Sequence, residues 1–222
     1  MNKFYKQPMM LQWLEAILLL IVGFYPAIVI IELTYVQLLY ALLFILYLPV
    51  GQFTTAPFFK LTGIYTYYSP MLLGYMANKA QIDLHSGGSF DYLWVMRKFR
   101  TRVESRNALL CYHLEGLLQI IYQIEGGLIP KTVILSGTSY FFNERTLARL
   151  GFRYEAPSIF YRINLLANFI DLTWMYSLSQ GRFGIPTLWK AKKATITGGA
   201  LVDQKAVLTE LYQRMTSRTK MN

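Results

Sequence analysis

Two long hydrophobic runs open the chain. Residues 9–31 contain one charged side chain, Glu15, and residues 35–53 contain none. A helix needs about 20 apolar residues to cross the hydrocarbon core of a bilayer. Only three residues separate the runs, so the connection must be a tight turn. The pattern predicts a transmembrane helical hairpin whose two ends lie on the same side of the membrane.

The next segment, residues 54–78, is interrupted by proline and glycine and is rich in Phe and Tyr. Aromatic side chains, and Tyr with its polar tip above all, collect at the boundary between membrane and water. We interpret this segment as an interfacial linker that lies along the membrane surface. The alternative is an aromatic part of the core of the domain that follows.

From residue 79 the periodicity changes. Residues 79–85 alternate between polar and apolar side chains, which is typical of a strand. Residues 89–99 look helical, with Ser89 as a plausible N-cap. An apolar stripe at helical spacing predicts a long helix over residues 103–125, and a β-rich run follows at residues 131–142.

The last third continues the alternation. Residues 143–155 predict a short helix, a glycine stop and a strand, and residues 162–182 predict one helix. Residues 189–199 have the pattern of a basic edge strand, and residues 201–216 that of an amphipathic helix. Strands and helices that alternate in this way indicate a mixed α/β class.

These patterns divide the chain into three parts. They are a two-helix transmembrane hairpin (residues 1–53), the aromatic interfacial linker (54–78) and a basic mixed α/β cytoplasmic domain (79–222). Composition agrees with a membrane protein, because 54% of the residues are hydrophobic and only 15% are charged, against about 25% charged in soluble domains. The net charge is +10, and the single cysteine permits no internal disulfide.

The basic residues predict the orientation. Lys3 and Lys6 precede the first run, Lys60 and Lys79 follow the second, and the connection holds only Glu32. Because Lys and Arg are enriched in cytoplasmic segments, both termini are predicted to be cytoplasmic. The expected location is a bacterial-type inner (plasma) membrane, which the chain crosses more than once.

Glu15 is the one ionisable side chain inside the first run. A carboxylate within a membrane span is by default a functional candidate. Glu15 lies near the cytoplasmic end of the run, however, where it can reach the lipid headgroups. Interfacial placement and a functional or partner-binding role both stay open.

The stretch "DLHSGGSFDY", residues 83–92, concentrates polar groups at a predicted strand-to-helix turn. Asp83 stands two residues before His85, on the same side of a strand, where it can orient the imidazole. Ser86 or Ser89 is a candidate nucleophile. The glycines permit close approach of a ligand, and the start of the helix offers free N–H groups to an anion.

A structural explanation of the same stretch is also open. Gly87 and Gly88 would make the turn, Ser89 would cap the helix and His85 would form an ordinary hydrogen bond. The stretch lacks the G-x-S-x-G, G-x-G-x-x-G and Walker patterns. Cys111, His113 and Glu115 occupy alternate positions of a helix and so do not face one another. No metal site is predicted, and the sequence names no cofactor.

Residues 136–152, "SGTSYFFNERTLARLGF", run from a strand through Asn143 and a basic helix to Gly151 and Phe152. This stretch resembles the last part of the Gcn5-related N-acetyltransferase fold, in which an Asn-led helix ending in Gly-Phe lies beside acyl-coenzyme A. The chain departs from that family in two respects. Asn143 stands about one turn closer to the glycine than the family usually has it, and the family's pyrophosphate loop is missing.

Two basic segments are candidates for binding anionic lipid or another anionic ligand. A surface Lys or Arg contributes about 1 kcal/mol to binding an anionic membrane. Nucleic acid is not expected as a partner, because no aromatic and basic signature of an RNA-binding sheet is present. The residues are Arg97, Lys98, Arg100, Arg102, Arg106, Lys190, Lys192 and Lys193.

The sequence leaves two functions open. The first is a binding or assembly component of a larger membrane complex, with membrane lipids and either partner membrane proteins or further copies of the chain as its partners. The second is a membrane-bound group transferase or hydrolase that acts on an acyl or lipid-linked substrate, with His85, Asp83 and Ser89 at its site. The enzyme requires that His85 and Ser89 open into a pocket.

Overall fold

The computed structural model describes residues 4–99, 101–139 and 144–219. Its helices are α1 (Met9–Val36), α2 (Leu43–Leu61), α3 (Ser89–Val95), α4 (Arg102–Glu125), α5 (Glu144–Arg149), α6 (Ile159–Ala167), α7 (Phe169–Gln180), α8 (Gly198–Asp203) and α9 (Lys205–Thr219). Its strands are β1 (Tyr65–Ser69), β2 (Leu72–Tyr75), β3 (Gln81–Ser86), β4 (Ile134–Ser139), β5 (Arg153–Glu155) and β6 (Lys192–Thr197). The predicted mixed α/β class and the two long N-terminal helices are confirmed.

Helices α1 and α2 pack side by side, and both are long and apolar enough to cross a membrane. The chain reverses at Gln37, so Glu32 lies in the last turns of α1. The sequence had placed Glu32 in the connection between the two helices. Nothing between residues 31 and 36 breaks a helix, which explains the extension. Gly23 of α1 lies so close to Thr54 of α2 that a side chain at Gly23 would overlap the Thr54 hydroxyl. Small residues permit this approach.

The aromatic segment after the second hydrophobic run differs from the linker predicted for residues 54–78. Its first eight residues belong to α2, and its centre forms the antiparallel hairpin β1–β2 at one edge of the sheet. Tyr and Thr favour strands, and pairing with β3 satisfies the backbone groups of β2. Leu72 and Leu73 are buried. The sheet therefore begins directly after α2.

The strands form one mixed sheet in the order β1–β2–β3–β4–β6–β5. β3 and β4 run parallel, joined by the crossover through α3 and α4, and the other neighbours are antiparallel. The expectation of a basic edge strand at residues 189–199 is wrong. β6 lies between β4 and β5, because Ala194 and Ile196 are buried and both of its edges find partners.

Each central strand contributes to two opposite faces, because side chains alternate along a strand. One face packs against α4, α8 and α9 and forms the main hydrophobic core, with Ile82, Leu135, Ile196, Ile121, Leu201 and Leu208 among its members. The opposite face is polar. It carries Asp83, His85, Ser136, Thr138 and Lys193.

Helices α6 and α7 cover the polar face. The sequence had predicted one continuous helix over residues 162–182 for this segment. The helix breaks at Asn168, whose side-chain amide donates to the backbone and side-chain oxygens of Asn164. The Asn168 side-chain oxygen accepts a hydrogen bond from the Gln52 side chain of α2. A side chain that bonds its own backbone competes with helix continuation, and here it also ties the break to the hairpin.

Candidate functional site

A cleft of about 640 Å³ lies between the polar face of the sheet and the helices that cover it. Small-molecule sites typically measure about 300–1,000 Å³. Helix α2 forms one wall, so the hairpin and the α/β domain build the cleft together. Its lining includes Gln52, Ala56, Phe59, Asp83, His85, Thr138, Tyr161, Asn164, Asn168 and Asp171.

The structure brings two of the predicted site residues together at the floor of this cleft. Nε2 of His85 lies 3.1 Å from Oδ2 of Asp83. The Ser136 hydroxyl donates to Oδ1 of Asp83 at 3.1 Å. When the carboxylate accepts from Nε2–H, the neutral imidazole keeps its lone pair on Nδ1. His85 is thereby oriented as a proton acceptor.

Asp83 is held in its charged form. Burial opposes ionisation, but the hydrogen bond and charge of His85, the Ser136 hydroxyl and the charge of Lys193 outweigh it. The pKa of Asp83 therefore lies below its usual value. Lys193 also forms an ion pair with Glu155 at 3.2 Å, and both line a smaller cleft of about 380 Å³ that shares Asp83 and Tyr161 with the first.

Ser89 does not join His85 and Asp83, and it does not cap α3 as the sequence predicts. Gly88 is the N-cap, and Ser89 lies in the first turn with its side chain buried. Its hydroxyl makes no hydrogen bond of standard geometry, but it lies beside Asp171 and partly offsets the rise in that residue's pKa. Serine turns inward here because α7 packs against α3.

The two glycines of the turn have different reasons to be glycine. A side chain on Gly87 would lie 2.8 Å from Cβ of Asp91, so the close approach requires glycine. Gly88 has open space around it, and neither residue has a positive φ. The carboxylate of Asp91 already lies in the first turn of α3, which disfavours the anion that the sequence suggested for this helix start.

A polar contact from strand β1 supports the turn between β3 and α3. Tyr67 of β1 donates through its hydroxyl to Oδ2 of Asp91 at 2.7 Å. Burial and the charge of Asp91 raise the pKa of Tyr67 well above its usual value, so it stays protonated and can donate. Tyr5, before α1, packs on Tyr67 with ring centroids 5.5 Å apart. The N-terminal turn, the sheet and α3 meet at this contact.

Asp171 is the third carboxyl group of the cleft. It is buried in α7, and burial raises its pKa to about 6, an effect that the Ser89 hydroxyl partly offsets. The ionised form is therefore costly in the folded protein near neutral pH. The sequence places Asp171 within the helix predicted over residues 162–182 and does not indicate its burial, because that burial depends on α3.

A second histidine pair lies next to the cleft. The Ser86 hydroxyl is 2.9 Å from Nε2 of His113, and Nδ1 of His113 is 2.7 Å from the backbone oxygen of Leu109. The carbonyl can only accept, so Nδ1 carries the proton and Nε2 accepts from Ser86. Burial lowers the pKa of His113, which favours the neutral base. Sequence reasoning missed this pair because its partners come from β3 and α4.

The remaining candidates lie elsewhere. The Cys111 thiol is fully buried on α4 and Glu115 is half-buried on the same helix. Within the three described ranges, no group of three metal-ligating side chains is placed to hold a metal ion. Glu15 is half-buried in α1, and its Oε2 accepts from the Gln7 side-chain amide at 3.1 Å when that amide takes the orientation that pairs its nitrogen with an acceptor. Since Gln7 precedes the helix, Glu15 is linked to the N-terminal end of the span.

The basic segments separate into exposed and cleft-associated residues. Lys193 faces the smaller cleft and is paired with Glu155, while Lys192 is half-buried. Arg100 falls outside the described residues. The exposed members are Arg97, Lys98, Arg102, Arg106 and Lys190.

The strand and the helix of the stretch that resembles an acetyltransferase segment are present as β4 and α5, and Gly151 follows with a φ of 74°. Asn143 lies outside the described residues. Comparison of the chain with protein-family models, with curated proteins and with solved structures finds no match.

Proposed function

We propose that the protein is a membrane-anchored enzyme, a group transferase or hydrolase that acts on an acyl or lipid-linked substrate at His85. Of the two side chains that the enzyme was expected to expose to a pocket, His85 lines the cleft and Ser89 is buried beside Asp171, so the proposed site excludes Ser89. The observation that carries the proposal is the composition of the cleft. Its floor holds the His85–Asp83 pair, and its side wall is the hairpin helix α2. A substrate bound there touches a proton acceptor and a membrane helix at once.

The cleft offers the substrate two environments. Ala56, Phe59, Leu172 and Met175 supply apolar surface, and the sheet face together with the amides of α6 supplies polar groups. Apolar walls with a few convergent polar groups are typical of ligand sites. An acyl chain fits the apolar side, and its carbonyl group or polar head fits the side of His85.

The chemistry follows from His85. Its Nδ1 takes the proton from an attacking hydroxyl, amine or water, while the bond between the acyl carbon and its leaving group breaks. The proton then passes to the leaving group, so that charge and atoms balance. General acid–base catalysis of this kind contributes about 10²–10⁴-fold to the rate. Asp83 holds the imidazole in the required tautomer and stabilises its protonated form.

The Ser86–His113 pair offers a covalent route as an alternative to direct attack by the acceptor, for the transferase and the hydrolase alike. A serine hydroxyl that donates to a neutral imidazole is the arrangement of an activated nucleophile. If Ser86 takes up the acyl group, Ser86→Ala abolishes turnover. If the acceptor attacks directly with help from His85, Ser86→Ala retains it.

The test uses the full-length protein in lipid nanodiscs with two acyl-donor probes, p-nitrophenyl acetate and p-nitrophenyl decanoate. Release of p-nitrophenolate is measured with and without hydroxylamine as a general acyl acceptor. We expect turnover of the decanoate to exceed that of the acetate and to require His85, with His85→Gln inactive. Gln213→Ala, at an exposed position of α9, is the matched control. Equal turnover by His85→Gln and the parent protein would contradict the proposal.

The location is part of the same proposal. A hairpin has both ends on one side, and the placement of Lys3, Lys6 and Lys60 supports the cytoplasmic side of a bacterial-type inner membrane. Reporter fusions at Asn2 and Asn222 should agree in sidedness. A C-terminus on the opposite side would contradict this orientation without affecting the site.

A binding or assembly role within a membrane complex is the competing proposal. The exposed basic residues of α4 and of the turn before it favour it, because they are free to bind anionic lipid. It predicts that His85→Gln leaves every measured property of the complex unchanged. Purification in mild detergent followed by mass spectrometry identifies the partners that this role requires.

A further inference from the structure

Helix α6 has two opposed faces. Tyr161, Asn164 and Leu165 line the cleft. About half a turn around the helix, Ile159, Phe160, Ile163 and Leu166 are exposed by 57–81% of their surface. One nine-residue helix therefore closes the candidate site with one side and leaves four large apolar side chains uncovered on the other.

Two further large apolar side chains are exposed close in sequence to a turn that contacts α6. Phe183 is 79% exposed and Ile185 is 56% exposed, in the segment that leads from α7 to the turn Leu188–Lys190, and this turn contacts α6. Isolated exposed apolar residues are ordinary, but a contiguous group marks a surface that meets a membrane or another protein. The described part of the α/β domain leaves this surface without cover.

The position of α6 along the hairpin identifies what covers it. The helix ends at Asn168, which is hydrogen-bonded to Gln52 of α2. Gln52 precedes the last residue of α2, Leu61, by nine residues, or about 14 Å at 1.5 Å per residue. Gln52 is also the second-last residue of the uncharged run 35–53, so the end of α6 is held at the level where that run meets the membrane surface. Beside a lipid-facing helix at this depth, lipid is the neighbour.

The edge of the surface has the groups that lipid headgroups require. Arg162 lies between the two faces of α6 and is exposed, as are Arg182 and Lys190. Trp189 is 80% exposed, and tryptophan collects at the level of the headgroups. Apolar side chains with a rim of cations and an aromatic ring are typical of helices that lie in a membrane interface.

We propose that the outer face of α6, with Phe183 and Ile185, is embedded in the acyl chains of the leaflet on the domain's side, with anionic headgroups on Arg162, Arg182 and Lys190. The occupant of this surface is lipid. Helix α6 becomes a third membrane contact and separates the cleft from the bilayer by the thickness of one helix. The proposal needs the hairpin in the membrane but does not depend on the reaction at His85.

The test measures the surroundings of single nitroxide spin labels in vesicles of phosphatidylcholine and phosphatidylglycerol. Labels are attached at Phe160→Cys and Ile163→Cys, with Leu46→Cys on α2 as the lipid reference and Gln213→Cys on α9 as the water reference. The buried Cys111 should not react, which the unsubstituted protein checks first. Collisions with oxygen, which is concentrated in lipid, are compared with collisions with a water-soluble nickel chelate.

We expect the labels at Phe160 and Ile163 to match Leu46, with oxygen collisions dominant, and Gln213 to show the reverse. Labels that collide mainly with the nickel chelate would place α6 in water and overturn the proposal. Low collision rates with both reagents would mean that a second copy or another protein covers the surface, which overturns it as well. Unchanged melting temperatures verify the fold of each variant, and Leu166→Cys replaces any variant that fails.

Discussion

The two faces of the central sheet are built by the same strands and have opposite chemistry. Towards α4, α8 and α9, Ile82, Leu135 and Ile196 are almost completely buried among other apolar side chains. Towards α6 and α7, Asp83 and His85 line a water-accessible cleft. Neighbouring residues of one strand thus serve the stability of the fold and the candidate site separately. Alternation of side chains along a strand makes this separation possible, and substitutions on each face should have different consequences.

The largest expected effect is on the cleft face. His85→Ala removes the proposed general base, so the rate with the acyl ester probes should fall by about 10²–10⁴-fold. The melting temperature should change little, because the side chain is partly exposed and Asp83 keeps the Ser136 hydroxyl and the charge of Lys193. Activity and thermal unfolding are measured on the same nanodisc preparation. A large loss of stability would show that His85 contributes to the stability of the fold in the way that residues of the core face do.

The core face should respond in the opposite way. Leu135→Ala leaves a cavity at a position with no exposed surface and should lower the free energy of unfolding by about 2–5 kcal/mol. The rate per folded molecule should stay the same, since Leu135 points away from the cleft. Urea unfolding and active-site-normalised rates test the two statements. A changed rate at unchanged stability would contradict the division of the faces.

Asp171 gives a pH-dependent test of the cover over the cleft. Its pKa is about 6, above its usual value of 3.8, so the folded protein holds this proton more tightly than the unfolded chain. The resulting stabilisation is complete below about pH 4 and is lost as the pH rises to about 6. Asp171→Asn should therefore raise stability at about pH 8 by about 1–3 kcal/mol. At about pH 4 it should have little effect, and melting temperatures at both values provide the measurement.

The smallest expected effect lies outside both faces. Thr101 caps α4 and forms a reciprocal capping box with Glu104, so Thr101→Ala should cost about 1 kcal/mol. Ser89→Ala should cost less than this, because Ser89 makes no cap and its buried hydroxyl lacks a standard hydrogen bond. Parallel urea titrations of the two variants compare them. A greater cost for Ser89→Ala would mean that the Ser89 hydroxyl makes a stabilising contact, for which Asp171 is the neighbour.

Local pattern predicted the parts of the fold that depend on local interactions. The two hydrophobic runs, the alternation of β3 and the long stripe of α4 are each visible within a single segment. The interior position of β6 was not visible within its own segment. Partners distant in sequence decide whether a basic strand lies inside a sheet or at its edge. The break at Asn168 likewise depends on Gln52, which lies 116 residues away along the chain.

The candidate site was likewise predictable only where it depends on residues close together in sequence. Asp83 and His85 share one side of a strand by spacing alone, and their contact is of the kind predicted. Ser89 turned inward because α7 covers it, and no pattern near residue 89 indicates that cover. The Ser86–His113 pair required knowledge of which side of α4 faces β3. Tertiary packing, more than propensity, therefore decided which polar residues meet.

The place of β6 in the sheet has a consequence for the order in which the protein can be completed. β5 pairs with β6 in the described sheet, and β4 has β6 as its second neighbour. Ribosomes add about 5–20 residues per second, so several seconds pass between synthesis of Ser139 and of Thr197. During that interval the hairpin has already been made, and β4 presents an unpaired edge that is prone to association with other chains. A nascent chain halted before Lys192 should therefore be held at the membrane with its sheet open, as a substrate for chaperones and proteases.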